Sequence, residues 1–231
     1  DRTRTRGIYQ EYLDQLVYAD ELGFDGMVLN EHHQNAYGLM PSPNLLAAAL
    51  TQKTRNGKIV VLANLPPMYL NPLRIAEEYA MLDNMSNGRL IAGFAVGGGP
   101  ESFNYNVPSP HGRRRLWEAI DLIVKSWTDD GPFNVWPRPQ QEPHPEVWVP
   151  GSRSIESMEE VARRGYRYFL SSRSHGGGTR MAAKEFAGVM EKHGKTYTPF
   201  HMGVLMSVYV AETDEQAKAE SQEGVWYFLR N

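Results

Sequence analysis

The chain has 231 residues and a net charge of −3, from 24 Lys plus Arg against 27 Asp plus Glu, with 41% apolar residues and no cysteine. Disulfides, thiolate metal sites and thiol nucleophiles are excluded, and no basic excess exists for a nucleic acid or an anionic membrane. No apolar run approaches the roughly 20 residues of a bilayer span, so a cytosolic location is expected.

Helical and strand-like patterns alternate along the chain. Tyr9–Leu22 places Tyr12, Leu13, Leu16, Val17, Ala19 and Leu22 on one helical side, and Gly23 ends it. Phe24–Leu29 reads as a buried strand. Ser42-Pro43 opens a helix to about Arg55, and β-branched Lys58–Asn64 reads as a strand covered on both faces. A third helix follows Asn71-Pro72, and Arg89–Val96 is a strand running into Gly97-Gly98-Gly99. Pro100–Pro110 reads as a loop and Arg114–Trp127 as a helix. After the Pro-rich connection up to Pro145 come strand Val147–Val149, helix Ser154–Arg164, strand Tyr166–Leu170, helix Thr179–His193 and strand Met202–Val210. Thr213 with Gln216 forms a capping box for a last helix.

Strands that alternate with amphipathic helices predict a parallel sheet covered by helices. An open doubly wound sheet and a (β/α)8 TIM barrel both fit. The chain begins and ends on helices, so one further unit at each end makes eight. The expectation is a single barrel domain over 1–231, with its first and last strands missing from this sequence.

In such folds chemistry sits at the C-terminal strand ends. Glu31-His32-His33 is the densest titratable cluster there. Locally it fits a general base, a metal pair or plain loop residues, and the zinc reading is weak because the His-Glu-x-x-His helix pattern is absent. The glycine run lets backbone approach a flat or anionic ligand, though Pro100 and Phe103 break the dinucleotide fingerprint. Gly151-Ser152-Arg153-Ser154 joins a strand to a helix N-terminus, which suits either a phosphate or simply an N-cap at Ser154. Arg113-Arg114-Arg115 reads as a solvated face or helix-start hydrogen bonds. Ser171, Ser172 and Arg173 close the fifth strand end.

Three segments together resemble the bacterial luciferase-like family of flavin-dependent monooxygenases. They are Phe24-Asp25 through Glu31-His32-His33 to Tyr37-Gly38-Leu39, Asn71–Glu78 with Leu82-Asp83-Asn84-Met85-Ser86-Asn87-Gly88-Arg89, and Trp148-Val149-Pro150-Gly151-Ser152. The resemblance implies a TIM barrel and reduced FMN supplied by a separate flavin reductase. It further implies dioxygen activation as a flavin C4a-hydroperoxide that oxygenates a small apolar organic substrate. His32 matches the catalytic histidine, with Glu31 and His33 as its supports. Ala63 and Asn64 would lie under the flavin ring, with an unusual cis peptide at Leu62–Ala63. Gly97, Gly98, Gly151, Ser152, Arg153 and Ser154 would complete the cofactor site. Val96 stands where the family has an arginine, and Arg153 is the proposed substitute. No metal is implied, and a homodimer is expected.

Two rival readings remain at this stage: an F420-dependent hydride-transfer enzyme on the same barrel, and a non-catalytic flavin-binding subunit. Tyr37, Met40, Met68, Tyr69, Phe103 and Tyr105 could line an apolar pocket or serve only as packing.

Overall fold

The computed structural model describes residues 2–34, 38–107, 109–128, 133, 135–171 and 177–230. Eight α-helices and six strands are found among them: α1 (Arg2–Glu21), β1 (Gly26–Leu29), α2 (Pro43–Lys53), β2 (Lys58–Asn64), α3 (Leu73–Ser86), β3 (Leu90–Phe94), α4 (Gly99–Asn104), α5 (Ser109–Trp127), β4 (Glu146–Gly151), α6 (Ile155–Arg164), β5 (Arg167–Leu170), α7 (Gly177–Lys192), β6 (Met202–Val204) and α8 (Asp214–Arg230). The strands form one sheet in the order β1-β2-β3-β4-β5-β6. Every ladder is parallel, with registers such as Met27↔Ile59, Val60↔Ile91, Ala92↔Val147, Val149↔Tyr168 and Phe169↔Gly203. A doubly wound sheet reverses its strand order partway. This order never reverses, so the architecture is a partial α/β barrel.

Alternation along the strands separates two faces. Ile59, Val61, Leu90, Ala92, Val147, Val149, Tyr168 and Leu170 are buried in a core with the helices, where Ile75, Ala76 and Tyr79 of α3 and Leu116, Ile120 and Ile123 of α5 meet them. The Tyr79 hydroxyl donates to the Gly93 carbonyl at 2.8 Å, and the Trp127 indole donates to that of Ala76 at 3.0 Å. These bonds satisfy polar groups that burial would otherwise strand.

The strand starts are tied down separately. Asn87 (φ 58°) and Gly88 (φ 75°) are left-handed and end α3, with the Gly88 amide bonded to the Asp83 carbonyl at 2.9 Å. The Arg89 guanidinium then donates to the Gly57 carbonyl at 2.8 Å, just before β2. The Asp83 carboxylate accepts from the Gln141 amide (2.8 Å) and side chain (2.7 Å).

Several boundaries differ from the sequence expectation. The stretch after the glycine run is not all loop: Gly99–Asn104 is a short helix, with the Glu101 side chain accepting from the Gly98 amide. α5 starts at Ser109, five residues before Arg114. β6 stops at Val204, because β5 ends at Leu170 and the Leu205 amide makes the last bond to its carbonyl, at 3.1 Å. Leu205–Val210 are exposed. Leu22, expected on the buried side of α1, is also exposed.

Candidate active site

The C-terminal ends of the strands surround a cavity of about 820 Å³, within the range of ligand and cofactor pockets. β2 contributes its bulged end. The β2–β3 register shifts between Val61 and Asn64, and the Leu62–Ala63 peptide there is cis, as expected. Only glycine fits at position 93, because a Cβ there would overlap the Val61 carbonyl oxygen and Leu62. Leu62, Ala63 and Leu65 line the cavity, with Val28, Val96, Phe169 and Leu205 as further apolar wall.

His32 lines this cavity with a side chain 32% exposed. Its amide donates to the Met40 carbonyl at 3.0 Å, which closes the loop, and Gly38 packs against its ring. Its Nδ1 lies 3.3 Å from Glu101 Oε1. Burial by itself would raise the Glu101 pKa. Hydrogen bonds from its own amide, from His32 and from the Gly98 amide outweigh that and hold the carboxyl below the usual range.

Glu31 and His33 do a different job. The Glu31 side chain is wholly buried. It accepts from Asn64 Nδ2 at 2.6 Å, the Leu65 amide at 3.3 Å and the Tyr69 hydroxyl at 3.4 Å, and pairs with His33 Nε2 at 2.7 Å. Burial first, and then Glu31 itself, push the Tyr69 phenol far up, so it stays a donor. The Tyr105 hydroxyl reaches His33 Nδ1 at 2.9 Å. Tyr105, His33 and Glu31 thus form a chain that pins the β1 loop to β2 and to the segment after β3. Asn64 is buried behind the cavity wall as part of this anchor, and it does not line the cavity.

The opposite end of the cavity is polar. Gly151, Ser152, Ser154, Ser157, Ser171 and Arg113 line it beside the N-terminus of α6. A Cβ at Gly151 would stand 2.6 Å from the Tyr168 hydroxyl, which itself accepts from the Arg153 amide at 2.9 Å. Arg153, left-handed at φ 79°, forms a two-pronged pair with Glu185 (2.6 and 2.5 Å) and is not among the lining residues. Arg113 lines the cavity instead. A Cβ on the adjacent Gly112 would lie 2.9 Å from Val96 Cγ1, so the start of α5 packs beside the segment after β3. Arg113 and the Ser154 hydroxyl both donate to Glu156 Oε2, at 3.0 and 2.7 Å.

The structure therefore gathers His32, Glu31, Ala63, Gly97, Gly98, Gly151, Ser152 and Ser154 around one cavity, while Asn64, His33 and Arg153 sit behind it or beside it. Tyr37, Ser172 and Arg173 lie outside the described residues. Sequence reasoning missed Glu101 as the partner of His32, and it missed Arg113. An earlier start for α5 would have placed Arg113 in the helix's first turns, near the strand ends. Among the described residues no group of three or more His, Cys, Asp or Glu could hold a metal ion, and no helix is long and apolar enough to cross a membrane.

A phosphate-bearing aromatic group fits this geometry. Hydroxyls, a guanidinium and a helix N-terminus line part of the cavity, and apolar side chains line the rest.

Comparison with known proteins agrees. The chain is 27% identical to the oxygenase component of a flavin-dependent trigonelline monooxygenase of Acinetobacter baylyi, over 98% of this chain and 68% of that protein. It superposes on the crystal structure of the monooxygenase RslO1 from Streptomyces bottropensis with a TM-score of 0.88 and 27% identity, covering 96% of this chain and 71% of that one. A Pseudomonas putida 3,6-diketocamphane monooxygenase component in complex with FMN shares the fold at a TM-score of 0.82 and 22% identity, over 94% and 66%. The chain spans 49–72% of the length of the curated relatives it matches. The family described as luciferase-like monooxygenase matches residues 2–230, and the chain belongs to that family.

Proposed function

We propose that this chain carries the catalytic site of the oxygenase component of a two-component monooxygenase, taking FMN reduced by a separate flavin reductase and oxygenating a small apolar organic substrate with O2. The observation that carries the reading is one cavity with His32 at one side and the Ser152, Ser154 and Arg113 group at the other. The relative that is itself an oxygenase component supports the separate reductase. The eight-stranded barrel and a homodimer belong to the same reading.

Reduced FMN, when bound, supplies the two electrons that send one oxygen atom of O2 to the substrate and the other to water. Ser152, Ser154, Ser171 and Arg113 would hold the phosphate, and an anion there competes with Glu156 for Arg113 and the Ser154 hydroxyl. Leu62, Ala63 and Val96 would back the ring. Phe169, Val28 and Leu205 would add further apolar wall to the site. His32 moves a proton at its imidazole, and Glu101 stabilises the charge that results.

The test supplies reduced FMN, 18O2 and a panel of apolar substrates, with products read by mass spectrometry. One labelled oxygen per product molecule is expected. Hydride transfer with reduced F420 and no labelled product overturns the reading.

A further inference from the structure

We infer that Glu101 is a positioning residue that fixes the tautomer of His32, placing the ring proton on Nδ1 and making Nε2 the proton-accepting atom of the site. This rests on the functional reading above for the role of His32, but the tautomer itself is a property of the free protein.

The argument starts from donors and acceptors. Glu101 is 6% exposed, on the short helix α4 that faces the β1 loop across the cavity mouth. Its Oε2 accepts from the Gly98 amide at 3.1 Å, and its Oε1 lies 3.3 Å from His32 Nδ1. An ionised carboxylate has no proton to give. The proton between Oε1 and Nδ1 therefore belongs to the imidazole, and in the neutral ring the lone pair is at Nε2. A Cβ added to Gly38 would stand 2.9 Å from His32 Cδ2, so the carbon edge of the imidazole lies against the Gly38 backbone. A carboxylate that orients an imidazole in this way acts through the histidine and never touches the reacting atoms.

Substituting Glu101→Gln separates this role from packing. The side chain keeps its shape but has one acceptor for two donors. The Gly98 amide cannot reverse its polarity, whereas the imidazole can. The carboxamide oxygen therefore turns to Gly98, its NH2 group faces Nδ1, and the ring proton moves to Nε2.

The experiment records long-range 1H–15N spectra of 15N-histidine-labelled protein without cofactor, with the signal of His32 among the seven histidines assigned by its loss in His32→Gln. Wild type and Glu101→Asp are expected to show protonated Nδ1, and Glu101→Gln protonated Nε2. In turnover with reduced FMN, Glu101→Gln should lose about 10²-fold in kcat with little change in substrate KM, and Glu101→Asp should retain most of it. The same tautomer in wild type and Glu101→Gln overturns the inference, as does protonated Nε2 in wild type, which needs no folded variant. A tautomer switch in a protein that oxygenates nothing overturns the proposed function and leaves the tautomer assignment standing.

Discussion

His32 is the one histidine of the adjacent pair that lines the cavity, while His33 is held by Glu31 and Tyr105. Removing the imidazole in His32→Ala should leave FMN affinity near wild type, because the polar end of the cavity is untouched. Product yield should fall about 10²-fold or more while oxygen consumption continues and hydrogen peroxide is released. Unchanged product yield would remove His32 from the chemistry. The two arginines give a second contrast. Arg113→Ala should weaken FMN binding by about 10- to 100-fold, the worth of hydrogen bonds to a charged group. Arg153→Ala should leave it unchanged, because Arg153 is turned to Glu185 and is not among the residues that line the cavity. A fluorescence titration of both variants decides between them. Sequence order exposed the Glu-His-His cluster but not the division of labour inside it. Alternation along an extended chain says that neighbours diverge, whereas which of them meets Glu101 depends on a segment 69 residues away.

Elements were legible where periodicity was strong and blurred where a partner set the limit. β2 matches its predicted bounds because seven consecutive strand residues are flanked by turn residues. β6 was overextended because its sequence stays apolar after its neighbour ends. The segment that best marked the family, Asp83 through Arg89, lies at the N-terminal ends of the strands and holds elements together, away from the chemistry. Asp20 does the same for α1. Its buried carboxylate accepts the amides of Arg55, Asn56 and Gly57 at 2.9, 3.2 and 2.6 Å. Burial alone would raise its pKa, but these amides and Arg89 overcome that and lower it. Its contribution to stability is therefore full above the unfolded aspartate value near 4 and lost as pH falls through the lower folded value. Asp20→Asn should cost about 2 kcal/mol at neutral pH, read by urea unfolding, and should flatten the acid limb of the stability profile. Equal acid limbs in the two proteins would refute the assignment.

At the scale of the whole molecule, the proposed cofactor site draws on residues from the loops and ends of β2, β3, β4 and β5 and from α5 and α6, so occupancy should brace most of the fold at once. FMN at about 100 times its Kd adds roughly 2.7 kcal/mol, a rise of about 5–10 °C in Tm for a chain of this size. Arg113→Ala should abolish most of that rise at the same FMN concentration, and calorimetry with and without FMN checks both. An unchanged Tm in wild type would place the cofactor elsewhere. The alternation of strands and helices made the α/β class readable from sequence, whereas the unreversed strand order, which separates a barrel from a doubly wound sheet, required the pairing itself.

That pairing also bears on how the protein is made. Each strand after β1 is laddered to the strand translated just before it. As the nascent polypeptide leaves the ribosome, each unit from β2 to β6 meets a docking edge that already exists. Loop closure then proceeds in modest steps rather than one long search, and assembly can keep pace with translation.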